Sequence, residues 1–85
     1  MTYNPWVKID TFKMPNKSRC YLLVAHKQGK KYPEIRLDYG CLCEWPIYDE
    51  TTDRILWDHP ERFTKNIINT VEKLYRKLYN VNQED

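Results

Sequence analysis

Phe63, Ile67, Val71, Leu74 and Leu78 recur at spacings of 4, 4, 3 and 4, which places them on one stripe of an α-helix that Ile68 and Tyr75 widen. Arg62, Lys65, Glu72, Lys73, Arg76 and Lys77 take the opposite face. A helix with a single apolar stripe needs a second element to cover it. Asp58 is positioned as an N-cap, Pro60 falls in the first turn and Glu61 complements the helix dipole, so the helix is expected over 59–79 with a polar tail at 80–85.

The preceding residues read as strands. Residues 6–14 are rich in β-branched and aromatic side chains and stop at the turn cluster Pro15-Asn16-Lys17. Residues 19–27 read as a buried strand, and 32–39 alternate cleanly, with Ile35, Leu37 and Tyr39 on one face and Glu34, Arg36 and Asp38 on the other. These two strands form a hairpin around Gly29. Asp38-Tyr39-Gly40 offers a further bend, 41–45 is expected to continue the strand, 49–53 is a polar turn, and 54–57 is a short last strand. The expected fold is α+β: a four-stranded antiparallel sheet at 1–58 followed by one long C-terminal helix packed on one face. At 85 residues the chain supports one domain with a thin core, which excludes a large enzyme with a deep cleft.

Composition narrows the setting. Residues 1–15 contain no apolar core segment of a targeting signal, and the longest apolar run, 20–25, is far too short for a bilayer. Cysteines 20, 41 and 43 are odd in number, as expected of free thiols in a reducing compartment. The expectation is an intracellular protein, cytoplasmic or nuclear. Abundant Lys, Asn, Ile and Tyr beside a single alanine, Ala25, point to an AT-rich gene, as in many viruses and low-GC bacteria. Residues 1–31 hold seven cations and one anion, whereas 32–61 hold eight acids against Arg36 and Arg54. Such segregation belongs either to a partner surface or to segments that neutralise each other on packing.

Catalytic and metal chemistry find little footing. Ser18 has no nucleophile-elbow glycines, no phosphate-cradling loop is present, and His26 and His59 lack a placed partner, so the chain reads as non-enzymatic. Cys41 and Cys43, with Cys20 and His59, are the candidate zinc ligands, but a single Cys-x-Cys pair reads more naturally as thiols in or near the core. No cofactor is expected. The hairpin, by contrast, interleaves aromatic rings and cations: Tyr21, Lys27, Lys30, Lys31, Tyr32, Arg36 and Tyr39. Bases stack on such rings while the backbone follows the positive charge, which is how single strands are held without sequence readout.

Three stretches carry a family resemblance: Lys27-Gln28-Gly29-Lys30, Ile35-Arg36-Leu37-Asp38-Tyr39 and residues 55–63 (ILWDHPERF). With the strand-then-helix order, they resemble the single-stranded-DNA-binding domain of the positive cofactor four transcriptional coactivators and their bacterial and phage relatives. The resemblance implies phosphate and nucleotide contacts at Lys27, Lys30, Arg36, Tyr39 and Arg54, and a homodimer formed through the C-terminal helix. The chain departs from that pattern at His59, an extra residue before the proline, at Arg54 in place of a glycine, and at 41–53, where an acidic segment replaces a basic loop. By alternation Tyr39 shares the core face with Ile35, so it reaches a ligand only if a bulge near Gly40 re-aims it.

Two functions follow as expectations. In the first, a small protein of transcription or replication binds single-stranded nucleic acid through the basic-aromatic hairpin. In the second, a viral or mobile-element protein docks on and modulates a host protein through Trp45, Ile47 and Tyr48, because aromatic residues beside charge mark interface hot spots.

Overall fold

Alternation in the first half of the chain produces a four-stranded antiparallel sheet in the order β1-β2-β3-β4. The computed structural model describes residues 4–83, and side chains as far as residue 79. Strand β1 (Trp6–Lys13) pairs with β2 (Arg19–Ala25), with a register shift between Lys8 and Asp10 that leaves Ile9 as the extra, exposed residue. The connecting turn is closed by Met14 N–H to the Ser18 carbonyl at 2.8 Å and Lys17 N–H to the Met14 carbonyl at 2.9 Å. Strand β3 (Glu34–Tyr39) pairs with β2 across the 26–33 connection, in which Gly29 adopts φ +84°.

At Gly40 the chain reverses rather than continuing. Tyr39 pairs with Leu42, which leaves Gly40 and Cys41 as a two-residue loop, and Gly40 has φ +65°. A positive φ at the first loop position only is the signature of a type II′ hairpin, and glycine adopts it without strain. Strand β4 (Leu42–Glu44) therefore returns beside β3 and fills the fourth place in the sheet. This corrects the expectation that 41–45 extends the preceding strand. It also displaces the expected last strand: β6 (Arg54–Leu56) pairs with β5 (Ile47–Asp49) in a separate two-stranded sheet. Pro46 lies between β4 and β5, and Asp49 closes the polar turn by accepting from Thr51 N–H at 3.0 Å and the Thr52 hydroxyl at 2.9 Å.

The helix starts later than its cap signals imply. Pro60–Arg62 forms a single 3₁₀ turn, preceded by His59 with no side-chain cap. Phe63 is extended, and α1 runs over Lys65–Gln83 behind Thr64, whose hydroxyl oxygen accepts from Ile67 N–H at 3.3 Å. Asp58 caps nothing. Its own N–H donates to the Glu44 carboxylate at 2.6 Å, as does that of His59 at 3.3 Å. Glu44, only 1% exposed, thus ties the end of the sheet to the entry of the helix. The expected polar tail begins inside α1, and residues 84–85 lie outside the described residues.

The core lies between one sheet face and the helix stripe. Cys20, Leu22 and Val24 of β2 and Ile35, Leu37 and Tyr39 of β3 meet Phe63, Ile67, Val71 and Tyr75. Burial, and secondarily Asp38, push the Cys20 thiol up to about 11. Of the stripe expected to serve core and dimer together, Phe63, Ile67 and Val71 are buried within the chain while Ile68, Leu74 and Leu78 are partly buried, and the outward helix face carries exposed Lys65, Asn66, Asn69, Lys73, Arg76 and Lys77. No helix among the described residues is long and apolar enough to cross a membrane.

Candidate nucleic-acid interface

Strand pleating sends alternate residues to the face that the helix does not cover. Register sets the rows of that open face: Trp6, Ala25 and Glu34; Lys8, Leu23 and Arg36; Thr11, Tyr21, Asp38 and Cys43; Lys13 and Arg19. Trp45, just past β4, folds over the same face, and its ring meets that of Trp6 edge-on at 5.5 Å. The Arg36 guanidinium lies 4.5 Å from the Trp6 ring centroid and 5.6 Å from that of Trp45. Asp38 holds it from behind with two contacts, Nε to Oδ1 at 2.8 Å and the terminal nitrogen to Oδ2 at 3.0 Å. Lys27 sits 5.2 Å from the Trp6 ring and pairs with Glu34 at 3.0 Å, while Lys8 lies 4.7 Å from the ring of Tyr21.

The electrostatics of the face are mixed but lean positive. Lys8, Lys13, Arg19, Lys27 and Arg36 stand against two carboxylates, Glu34 and Asp38. Those two carboxylates pair with Lys27 and Arg36, so part of the acidic 32–61 segment is neutralised within the fold. Desolvation, followed by the hydrogen bond and charge of Asp38, holds the pKa of the Cys43 thiol above its ordinary value.

The expected site residues divide among four places. Lys27 and Arg36 are on the open face. Tyr39 is only 8% exposed, packs edge-on against Phe63 at 5.1 Å, and accepts from the Arg62 guanidinium at 3.1 Å. The hairpin at Gly40 reverses the chain without the bulge that would have re-aimed Tyr39, so it belongs to the core. Lys30, Lys31 and Tyr32 turn towards the helix end, where Tyr32 stacks on Tyr79 at 3.8 Å. Arg54 is exposed on β6 and lines a surface cleft with Glu72 and Arg76 of α1.

Of the residues expected at a protein interface, Trp45 instead completes the open face, Ile47 is exposed, and Tyr48 packs on Tyr79 at 4.2 Å. The Tyr48 hydroxyl donates to Asp53, which raises its pKa to about 12. Reading the hairpin alone missed Trp6 and Lys8, although the aromatic and basic alternation of 6–13 was the signal that pointed to them.

The candidate zinc ligands are dispersed. Cys20 is in the core, Cys41 and Cys43 are exposed, and His59 neighbours Glu61 at 3.4 Å. Among the described residues no group of three or more His, Cys, Asp or Glu is arranged to hold a metal ion.

What the open face can do chemically is clear from its parts: two indole rings in edge-on contact, a planar cation packed against both, and lysines around the edge. Compared with protein-family models, curated proteins and solved structures, the chain matches none.

Proposed function

We propose that this protein binds single-stranded nucleic acid on the open face of its four-stranded sheet and acts without catalysis, in transcription or replication. The observation that carries this reading is the Trp6–Arg36–Trp45 cluster, flanked by Lys8, Lys27 and Tyr21. Unpaired bases expose the π-faces that such rings stack on, whereas a duplex hides them. The cations neutralise phosphates and release their counterions, so binding weakens as salt rises. The site differs from the one implied by the positive cofactor four resemblance, since it keeps Lys27 and Arg36 but replaces Tyr39 with the two tryptophans.

The Arg36–Asp38 pair supplies a two-way test. Arg36→Ala removes a cation and leaves the Asp38 carboxylate facing the strand, so affinity falls and the log–log salt dependence flattens by about 0.7. Asp38→Asn does the reverse: it removes a repulsive charge, frees the guanidinium and tightens binding. Anisotropy titrations at several salt concentrations, with circular dichroism as the folding control, read both. Unchanged affinity and slope in both variants would falsify the site.

A second reading rests on a separate observation. Ile47 and Leu56 face each other across β5 and β6 and are 61% and 54% exposed, an apolar pair on the surface of the small hairpin. Here the protein docks on another protein. Under that reading a stoichiometric partner survives nuclease treatment and is lost in Leu56→Asp, while oligonucleotide binding is untouched.

A further inference from the structure

Trp45 lines two places at once. On one side its ring approaches Trp6 and Arg36 on the open face; on the other it forms part of the wall of a cleft of about 500 Å³ at the end of the helix. That cleft is walled by Tyr32, Tyr48 and Tyr79, with Lys30 and Lys31 among its lining residues. Tyr32 and Tyr79 are nearly parallel at 3.8 Å, Tyr48 lies 4.2 Å from Tyr79, and the Lys31 ammonium is 5.2 Å from the Tyr32 ring. Two neighbouring hydroxyls are already engaged, Tyr48 with Asp53 and Tyr75 with the Pro46 carbonyl, which fixes the rings before any ligand arrives. Glu34 is the one carboxylate in the lining among the described residues, and Lys27 pairs with it at 3.0 Å. Lys30 and Lys31 are exposed and form no ion pair among the described residues.

We propose that a single strand bound on the open face continues over Trp45 into this cleft, where the tyrosines stack a further base and Lys30 and Lys31 hold its phosphates. The proposal rests on the single-strand reading above and adds a second nucleotide subsite to it. The volume falls within the range of small-ligand sites and suits a planar base. Charge selects a polyanion, since among the described residues the two lysines form no ion pair while the acid in the wall does. Continuity comes from Trp45, which gives consecutive bases an aromatic surface on both sides of the sheet edge. Lys30 and Lys31, which lie off the open face, thereby gain a role on the same strand.

The test compares labelled oligothymidines of about 4 and about 12 nucleotides, lengths at the two ends of what a small single-strand module occupies. The wild-type protein is expected to bind the longer strand at least tenfold more tightly and with a steeper salt dependence. Lys30→Ala/Lys31→Ala is expected to remove most of that gain and to flatten the longer strand's slope by about 1.4, which is about 0.7 for each phosphate. The same variant leaves the short strand unaffected. Tyr32→Ala is expected to weaken the longer strand without changing its slope, because stacking releases no counterions. Thermal melts of both variants separate local loss of binding from unfolding. Equal effects of the lysine variant on both lengths, or none on either, overturn the cleft subsite while leaving the open face intact. Absence of binding at both lengths in low salt overturns the open-face reading and this subsite with it.

Discussion

Removing both indole rings of the open face, in Trp6→Ala/Trp45→Ala, is expected to reduce affinity for a single-stranded oligonucleotide on the order of a hundredfold. Stacking of a base on an aromatic side chain contributes about 1–3 kcal/mol, so two independent platforms would set a loss of about 2–6 kcal/mol, and a hundredfold loss lies towards the lower end of that range because the rings are in contact. The single variants will not add simply, because the two rings touch each other and share the Arg36 guanidinium. Either single substitution also removes one of the two rings packed on that guanidinium. Folding should survive, since both rings stand on the face away from the helix, and a melt of the double variant checks this. Trp57, near Phe63 at 5.4 Å on the core side, remains as an internal fluorescence reference. Affinity within a factor of two of wild type would remove the platform from the account.

The second large effect concerns stability. Leu37 is 0% exposed at the centre of β3, paired in register with Leu22 on one side and Glu44 on the other. Truncation to alanine removes packing on the face that meets the helix, and buried Leu→Ala changes cost about 2–5 kcal/mol. A domain this small has total stability near the low end of about 5–15 kcal/mol. Leu37→Ala is therefore expected to lower Tm by at least about 10 °C, given about 4–8 °C per kcal/mol for domains of this size. Leu42→Ala, at a half-exposed position on the next strand, provides the contrast and should shift Tm little. Both residues stand on the helix-facing side of the sheet, so similar shifts in the two variants would contradict the difference in burial between its centre and its edge.

That assignment was largely legible in the sequence. Alternation in 32–39 placed Ile35, Leu37 and Tyr39 on one face, 19–27 read as a buried strand without a choice of face, and the periodic stripe identified Phe63, Ile67, Val71 and Tyr75. Both patterns are local and repeat several times, so packing has little reason to override them. The helix start was misread because Asp58, Pro60 and Glu61 carry every local signal of a cap, yet Glu44, distant in sequence, takes the Asp58 and His59 N–H groups. Thr64 then inherits the capping role. Strands β4, β5 and β6 have three residues each, too few for alternation to be read, and their pairing depends on the Gly40 reversal.

The site was legible only in its chemistry. Cations interleaved with aromatic rings marked the region, but the side that each one faces depends on the connection at 26–33, which has no period. Lys27 stays with the open face, whereas Lys30, Lys31 and Tyr32 pass to the cleft. Trp6 opens one edge strand of the sheet and Trp45 follows the other, and their rings meet edge-on with Arg36 of β3 packed against both. Nothing nearby in sequence links those two rings.

The most direct measurement is a titration of the wild-type protein with a mixed-sequence single strand and with the matching duplex, at low and moderate salt. Tryptophan fluorescence reports stacking on Trp6 and Trp45, and anisotropy of the labelled strand reports binding independently. The account predicts micromolar or tighter binding to the single strand, with Kd at or below about 1 μM at low salt, quenching of tryptophan emission, steep weakening with salt, and weaker binding to the duplex. No binding at low salt, or duplex binding at least as tight with unchanged tryptophan emission, would contradict it.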